Sequence, residues 1–451
     1  MTEILEPRCV TTELSGWGRF SRRSVRMASP RNESEIALLA RNGGLIARGS
    51  GRAYGDSAIG TKLTLDMRRM NRMLAFDEAT GQLTAEAGVL LSDVIATFLP
   101  RGWFPYVTPG TKFVTLGGAI AADVHGKNHH INGSFGAFVD WIDVLGADGE
   151  IVRIGPDENS EMFEWTLGGM GLTGVIVRAA FRLRRVGSGW IRKTTVPAAN
   201  LADAMAAFET ADEALYSVGW IDCLARGASL GRTLVMTGEH ADANDLPRDY
   251  RAHPFKTPVR RRFTFPFDAP GIVLNRFSIR AFNALYWQLG LRAPRETLVD
   301  YDSFFYPLDR MLGWNRIYGR RGFLQFQCAL PLENAKSGLT RLLTETAQAG
   351  QGSFLAVLKR LGAQQSRFSF PMEGYTLALD FPATPTALAL LKRLDAVVID
   401  HGGRFYLAKD ARMSSETLCR SDARIDAFRD MRRMRHLEHT FSSDQSQRFH
   451  L

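Results

Sequence analysis

The chain has 451 residues, which is too long for one ordinary hydrophobic core and predicts two domains. Its composition, with 45% hydrophobic and 23% charged residues, is typical of a globular protein and excludes a largely disordered chain. The net charge of +9 permits binding to phosphate groups, to an anionic membrane surface or to nucleic acid, but it does not choose among them.

The sequence lacks the patterns of exported and membrane-spanning proteins. Residues 1–10 contain no apolar run of signal-peptide length, and no stretch approaches the ~20 consecutive apolar residues that a spanning helix needs. We therefore expect a cytoplasmic protein, with peripheral contact at the inner membrane and a periplasmic location left open. The four cysteines are scattered without CxxC spacing, so neither a disulfide framework nor a metal site is indicated.

Residues 35–185 alternate strand-like runs with glycine-rich turns, which is an α+β pattern. The predicted elements are a helix at 91–99, a hairpin at 142–152 around an Asp-Gly turn, and strands at 45–47, 63–66, 82–85 and 175–183. Neither GxGxxG between a strand and a helix nor GxxxxGK[ST] is present, so a bound nucleotide requires another geometry.

Residues 188–403 are richer in aromatic residues and helical patterns, with helices predicted at 201–214, 335–349 and 385–398. The segment 248–267 places six basic residues against one acid, with five aromatic residues interleaved. That composition suits a mobile lid or a surface that meets phosphate head groups, and a plain solvated loop is the alternative. No nucleic-acid-binding module accompanies it, so we expect no nucleic acid partner.

Three elements rich in small residues favour a cofactor site. Residues 47–57 (ARGSGRAYGDS) contain three glycines, whose backbone amides suit a pyrophosphate. Residues 115–130 read TLGGAIAADVHGKNHH, and residues 167–176 read LGGMGLTGVI. His129 and His130 follow His125, but no carboxylate or cysteine completes a metal site, so we expect these two histidines to form structural hydrogen bonds.

In this order the three elements resemble the PCMH-type FAD-binding domain of the vanillyl-alcohol oxidase superfamily. More narrowly, the chain resembles the decaprenylphosphoryl-β-D-ribose 2′-oxidase family in the strings SGWGR (15–19), GRAYGD (51–56), HGKNHH (125–130), GSFG (133–136), GGMGLTG (168–174), WNRIYG (314–319), GFLQFQ (322–327) and AKD (408–410). The resemblance implies an FAD-binding domain of residues 1–187, completed by 404–451. It also implies a substrate domain of residues 188–403, with an antiparallel sheet flanked by helices.

The activity implied by the resemblance is FAD-dependent oxidation of the 2′-hydroxyl of a polyprenylphosphoryl-β-D-ribose to the 2′-keto sugar. This is the first half of an epimerisation that makes the arabinose donor for cell envelope polysaccharide. An NAD(P)H-dependent reductase would complete it, and a quinone or, less well, oxygen would accept the electrons. Two alternatives stay open: a soluble sugar or alditol oxidase of the same fold, and a non-catalytic membrane-surface protein.

The resemblance also implies where FAD is held. Residues 47–57 contain neither histidine nor cysteine, so FAD is expected to bind non-covalently. The implied contacts are Ala47, Arg48, Gly49, Ser50, Gly51, Arg52, Ala53, Tyr54, Gly55, Asp56, Ser57, Gly110, Thr115, Leu116, Gly117, Gly118, Ala122, Asp123, Val124, His125, Ile176 and Tyr406.

Lys409 and His125 are the catalytic candidates, because oxidation of a secondary alcohol needs a proton acceptor near the flavin. We expect an electrostatic role for Lys409 and a share in proton transfer for His125, and the base is left open. The implied substrate-binding residues are Lys127, Trp220, Gln325, Gln327 and Lys359.

Two departures from the family pattern concern the substrate side. Ala378 and Thr376 stand where actinobacterial members have cysteine and asparagine, so inhibitors that bond to that cysteine are expected to fail here.

Overall fold

The computed structural model describes residues 8–271 and 274–451. Most of residues 1–10, for which we expect no signal peptide, lies outside this range. Within the range, no helix combines the length and the apolar character needed to traverse a bilayer.

The first sheet is built from the N-terminal part of the chain. Its strands are β1 (Val10–Leu14), β2 (Arg23–Ala28), β3 (Leu45–Arg48) and β4 (Leu63–Asp66), in the order β1-β2-β4-β3. β3 runs parallel to β4 and ends at Arg48. The glycine-rich residues 49–57 therefore leave the sheet at the carboxyl end of β3.

The second sheet lies between residues 73 and 185. Its strands are β5 (Met73–Asp77), β6 (Gln82–Glu86), β7 (Trp103–Pro105), β8 (Val139–Leu145), β9 (Ile151–Ile154) and β10 (Val175–Arg185). Their order is β5-β6-β10-β8-β9, with β7 also paired to β10. The predicted hairpin corresponds to β8 and β9, and Gly149 at its Asp-Gly turn has a φ of 84°, which glycine adopts without strain.

The third sheet is larger, and every neighbouring pair of its strands is antiparallel. Its strands are β11 (Trp190–Ala198), β12 (Tyr216–Ile221), β13 (Thr233–His240), β15 (Glu296–Asp300), β17 (Phe323–Pro331), β18 (Val357–Leu361), β19 (Gly374–Pro382) and β20 (Arg404–Phe405). Their order is β15-β11-β13-β12-β18-β19-β17-β20. A separate parallel pair consists of β14 (Phe263–Thr264) and β16 (Met311–Leu312).

Helices cover the sheets. Those up to residue 166 are α1 (Glu33–Ala40), α2 (Leu91–Phe98), α3 (Leu116–Ala121), α4 (His129–Asn132) and α5 (Ser160–Thr166). Those of the middle region are α6 (Leu201–Thr210), α7 (Arg248–Arg251), α8 (Arg276–Arg292), α9 (Tyr301–Phe305), α10 (Leu332–Ala349) and α11 (Pro385–Asp400). They are followed by α12 (Ser415–Ser421), α13 (Arg424–Met434) and α14 (Asp444–Phe449). Short 3₁₀ turns lie at Met67–Arg69, Leu99–Arg101, Phe135–Phe138, Gly227–Ser229, Ala243–Asp245 and Trp314–Tyr318.

The helix predicted at residues 201–214 was four residues too long. α6 ends at Thr210, and residues 211–214 form a turn. Asp212 and Glu213 follow the end of the helix, and acidic side chains at a helix C-terminus are unfavourable beside the negative end of the helix dipole.

The last part of the chain returns to the first sheet. β20 pairs with β17 in the third sheet, but Phe441 forms a bridge with Leu45 of β3. The expected α+β fold is confirmed, as is the antiparallel sheet with its helices. The domain boundaries at residues 187/188 and 403/404 stay a prediction.

Candidate active site

One cavity of about 340 Å³ is lined by residues of all three sheets, including Ala47 of β3, Ile176 of β10 and Gln325 of β17. Most of the residues that the sequence assigned to FAD line it: Ala47, Gly49, Ser50, Gly51, Arg52, Ala53, Tyr54, Ser57, Gly110, Thr115, Gly117, Gly118, Ala122, Val124, His125, Ile176 and Tyr406. Five others do not line it: Arg48, Gly55, Asp56, Leu116 and Asp123.

Three of these five, Arg48, Gly55 and Asp56, belong to the first loop (residues 47–57) and fix it through contacts with other segments. The Arg48 guanidinium donates a 2.9 Å hydrogen bond to the Ser15 carbonyl. The Asp56 carboxylate forms a 2.7 Å ion pair with Arg448 of α14. An added Cβ at Gly55 would lie 2.0 Å from the Asp410 carbonyl oxygen, so only glycine allows the loop to approach that segment.

The other two, Leu116 and Asp123, fix the second glycine-rich element, residues 115–130. Leu116 is fully buried in the hydrophobic core. The Asp123 carboxylate is buried and accepts hydrogen bonds from the Ser134 hydroxyl at 2.6 Å and the Gly136 amide at 2.8 Å. The sequence pattern marked the correct segments, but it did not separate side chains that face the cavity from those that anchor its wall.

Backbone hydrogen bonds also fix the first loop between two other segments, one at residues 17–18 and one at residue 408. Trp17 and Gly18 donate backbone hydrogen bonds to the carbonyls of Ala53 and Tyr54, at 2.8 and 3.0 Å. Tyr54 in turn donates its own amide to the Ala408 carbonyl at 2.8 Å. Residues near both ends of the chain therefore fix the loop.

The geometry of the loop fits a diphosphate. The backbone N–H groups of residues 50–53 donate to no acceptor in the described part of the chain. An added Cβ at Gly49 would lie 2.0 Å from Thr115 Oγ1, whereas one at Gly110, an exposed residue of the cavity lining, would meet no protein atom within 4 Å. Free amides beside open space are what an anionic diphosphate requires, so residues 47–57 and Gly110 would hold FAD there.

Lys409, one of the two catalytic candidates, lines this cavity. Its Nζ atom lies 3.9 Å from the centroid of the Tyr54 ring. Burial lowers the pKa of Lys409 to about 7, the Asp380 carboxylate opposes this shift, and Lys359 adds to it. Lys409 therefore changes charge near neutral pH, unlike an exposed lysine.

His125, the other candidate, lines the same cavity. Its Nε2 atom lies 3.0 Å from the Gln327 side-chain nitrogen, and its ring packs against the rings of Tyr406 and Phe370. Burial lowers the pKa of His125 well below its usual value, and Lys359 contributes to the same shift. The imidazole is therefore uncharged at neutral pH.

The two glutamines expected to bind substrate share one face of β17, as their spacing predicted. Gln325 pairs with Asp380 of β19 and Gln327 pairs with Ala378, and all four residues line the cavity. The Gln325 amide nitrogen donates a 2.5 Å hydrogen bond to the Asp380 carboxylate. Burial raises the pKa of Asp380, whereas the Gln325 hydrogen bond and the positive charge of Lys409 lower it.

The three remaining substrate candidates do not lie together. Lys359 of β18 lines the cavity, and burial lowers its pKa to about 8. Lys127 is not a lining residue, because its ammonium group donates to the Phe304 carbonyl and lies 4.2 Å from the Phe304 ring centroid. Trp220 does not line the cavity either: its indole donates to the Phe354 carbonyl, and its ring packs against Tyr286 of α8.

His129 and His130 form hydrogen bonds, as expected. His129 Nε2 lies 2.8 Å from the Gln364 side-chain oxygen, and His130 Nε2 lies 2.8 Å from the Ala214 carbonyl oxygen. These contacts connect residues 115–130 to the turn between α6 and β12 and to residues 362–370.

The lining residues that were missed as site residues include Trp17, Asp309, Trp314 and Asp380. Trp17 and Trp314 lie within strings that carried the resemblance, and the Arg52 guanidinium stacks 4.0 Å from the Trp17 ring centroid. Asp380 lies two residues after Ala378, so strand alternation could have placed it on the same face. No sequence pattern marked Asp309.

Comparison with known proteins agrees with this geometry. Residues 26–155 match the family model described as "FAD binding domain". The chain is 35% identical, over 98% of each chain, to a decaprenylphosphoryl-beta-D-ribose oxidase of Mycolicibacterium smegmatis. It is 34% identical to an uncharacterized protein in the mprA 5′ region of Streptomyces coelicolor, over 78% of this chain and 97% of that one.

A more distant match is the L-gulonolactone oxidase of Bos taurus, 30% identical over 36% of this chain and 37% of the other. Three observations agree on the cofactor and the fold. They are the similarity to the mycobacterial oxidase over nearly the whole chain, the match to an FAD-binding domain, and the cavity lined by the glycine-rich residues. The chain belongs to the decaprenylphosphoryl-β-D-ribose oxidase family of FAD-dependent oxidoreductases, with its two-domain fold of the vanillyl-alcohol oxidase type.

Proposed function

We propose that the protein oxidises the 2′-hydroxyl of a polyprenylphosphoryl-β-D-ribose to the 2′-keto sugar, the first half of epimerisation to an arabinose donor. The observation that carries the proposal is the single cavity in which His125, Lys409 and the two β17 glutamines adjoin the glycine cradle. The relative named decaprenylphosphoryl-beta-D-ribose oxidase, similar over nearly the whole chain, supports the choice of substrate.

The reaction removes a proton from the hydroxyl oxygen and a hydride from the carbon that bears it. Bound FAD supplies the acceptor for the hydride. In this proposal His125, which is uncharged at neutral pH because burial lowers its pKa, shares in the transfer of the hydroxyl proton. Protonated Lys409 stabilises the negative charge that develops on the oxygen as that proton leaves.

The sugar and its phosphate are bound by the polar lining. Gln325 Oε1 is buried and has no hydrogen-bond partner among the described residues, so it is available to accept from a sugar hydroxyl. Gln327 offers a second amide on the same face. Lys359 supplies positive charge for the phosphate. Lys127 is left out of this set because its ammonium group is already bound at Phe304.

The proposal includes partners outside the chain. An NAD(P)H-dependent reductase completes the epimerisation, and a quinone or, less well, oxygen takes up the electrons. The lipid-linked substrate requires peripheral contact with a membrane.

The test is anaerobic flavin bleaching. The FAD-loaded protein is mixed with a short-chain polyprenylphosphoryl ribose, and the yellow absorbance is expected to disappear within one turnover. The matched control is the 2′-deoxy analogue, which keeps the phosphate and lipid but lacks the reacting hydroxyl, and it is expected to leave the spectrum unchanged.

Other outcomes favour the alternatives. Bleaching by free sugars or alditols as fast as by the lipid-linked ribose would identify a soluble sugar oxidase. Failure of the purified protein to take up FAD would identify a non-catalytic protein. Bleaching by the 2′-deoxy analogue would show that another carbon is oxidised.

A further inference from the structure

Helix α8 exposes most of its surface, although it is one of the longer helices. Its buried residues, Ile279, Asn283 and Trp287, follow one another at intervals of four, so they form a single narrow stripe along one side. A helix that belongs wholly to a globular surface has polar residues opposite such a stripe.

The opposite side of α8 is apolar instead. Phe277, Leu285 and Leu289 have exposed fractions of 65%, 60% and 56%, and Phe282 and Tyr286, which stack on each other, are 42% and 37% exposed. Leaving this much large apolar surface in water is unfavourable, and contiguous patches of this kind mark an interaction site.

The charge on α8 selects the partner. The helix carries three arginines, Arg276, Arg280 and Arg292, and no aspartate or glutamate. Elsewhere in the described chain, the basic segment 248–267 is also mostly exposed and includes the exposed rings of Phe263 and Phe267. Two copies of this surface would bring like charges together, whereas the phosphates of an anionic bilayer complement the arginines and its acyl chains complement the apolar side.

The position of α8 links it to the cavity. Phe282 packs edge-on against Phe354, with ring centroids 5.9 Å apart, and Tyr286 packs against Trp220 at 4.6 Å. Phe354 precedes Leu355, which lines the cavity. An apolar path of side chains therefore runs from the exposed side of α8 to the cavity wall.

We propose that α8 docks the protein on an anionic bilayer, with Phe277, Leu285 and Leu289 in the acyl-chain boundary and the arginines at lipid phosphates. The inference rests on the proposed function in one respect, since a lipid-linked substrate places the enzyme at a membrane. It goes beyond that function by naming the docking surface.

The experiment is co-sedimentation of the FAD-loaded full chain with vesicles. Phosphatidylcholine vesicles with and without phosphatidylglycerol are compared, and binding is expected with the anionic vesicles and to weaken as salt rises. The variant F277S/L285S/L289S is expected to lose at least about tenfold in vesicle partitioning. These side chains are exposed, so the fold is retained, and circular dichroism checks this.

Two controls match that variant. L74S/V152S/M434S removes three other large apolar side chains, with exposed fractions of 44%, 46% and 74%, and is expected to bind like the wild type. R276Q/R280Q/R292Q is expected to lose binding to anionic vesicles and to abolish its salt dependence.

Three results would overturn the proposal. They are wild-type protein that stays with the supernatant, a serine variant that binds as well as wild type, and a concentration-dependent dimer that the serine variant abolishes, which would assign α8 to a second copy. Flavin bleaching by a short-chain substrate in solution is measured in parallel. Loss of bleaching with vesicle binding intact contradicts the proposed function alone, and the reverse contradicts α8 docking alone.

Discussion

Replacement of Asp380 by asparagine tests how the cavity sets the charge of Lys409. The substitution keeps the volume of the side chain and an oxygen for the Gln325 hydrogen bond, but it removes the negative charge. Burial and Lys359 both lower the pKa of Lys409, whereas the Asp380 carboxylate raises it and so favours the protonated lysine. The D380N variant should therefore have a Lys409 pKa below the wild-type value.

The size of the effect follows from the wild-type pKa of about 7, which leaves Lys409 about half protonated at pH 7. Loss of a neighbouring carboxylate lowers the pKa of a lysine by about 1 to 3 units. The protonated fraction at pH 7 then falls to about one tenth or less. Because protonated Lys409 stabilises the developing oxyanion in the proposed reaction, flavin reduction is expected to slow about fivefold or more at pH 7 and to recover as pH is lowered.

The assay is anaerobic stopped-flow flavin reduction by short-chain substrate from pH 5 to 9. The wild-type rate is expected to fall as pH rises through about 7, and the same fall in rate should occur at lower pH in D380N. D309N is the matched control, because Asp309 lines the same cavity but acts on Arg52. The reasoning would be refuted if the pH at which the rate falls were unchanged in D380N, or if it shifted equally in D309N.

Three further predictions concern the cavity and the lysines around it. G110A should keep the wild-type melting temperature of the apoprotein but purify with little FAD, since its Cβ meets no protein atom and is added to a residue that lines the cavity; normal FAD content would contradict the cradle. A378C should gain one more adduct of a cavity-sized thiol reagent than the wild type, whose exposed Cys419 also reacts, as followed by intact mass; Cys223 stays unmodified because burial raises its pKa to about 12. Burial lowers the pKa of Lys127 to about 7 and of Lys359 to about 8, so these lysines bind more protons in the unfolded chain between about pH 8 and 9, below the range where the buried cysteines and tyrosines act in the opposite direction; chemical denaturation should give a free energy of unfolding that rises with pH across that window, and a falling value would contradict the burial of these lysines.

Much of the fold was predictable because its signals are local. Strand alternation placed Gln325 and Gln327 on one face, and the Asp-Gly turn fixed the β8–β9 hairpin. The end of α6 at Thr210 was missed because apolar spacing continued past it, while the following acidic residues opposed the helix dipole.

The candidate site was less predictable where long-range packing decides. Nothing local indicates that the Lys127 ammonium group turns to Phe304, nearly two hundred residues away, or that Trp220 faces α8. Asp309 enters the cavity wall because it accepts hydrogen bonds from Thr111 and the Lys112 amide, a contact between distant segments. Such partners are set by tertiary structure, which single-sequence patterns do not encode.

The ion pairs of Arg448 with Asp56 and Asp410 have a consequence for biosynthesis. The loop that would receive FAD is translated early, but the guanidinium that fastens it lies 392 residues later in the sequence. We therefore expect flavin loading to require the segment that carries Arg448. A nascent chain stalled before residue 440 should be recovered colourless even when its first two sheets have folded.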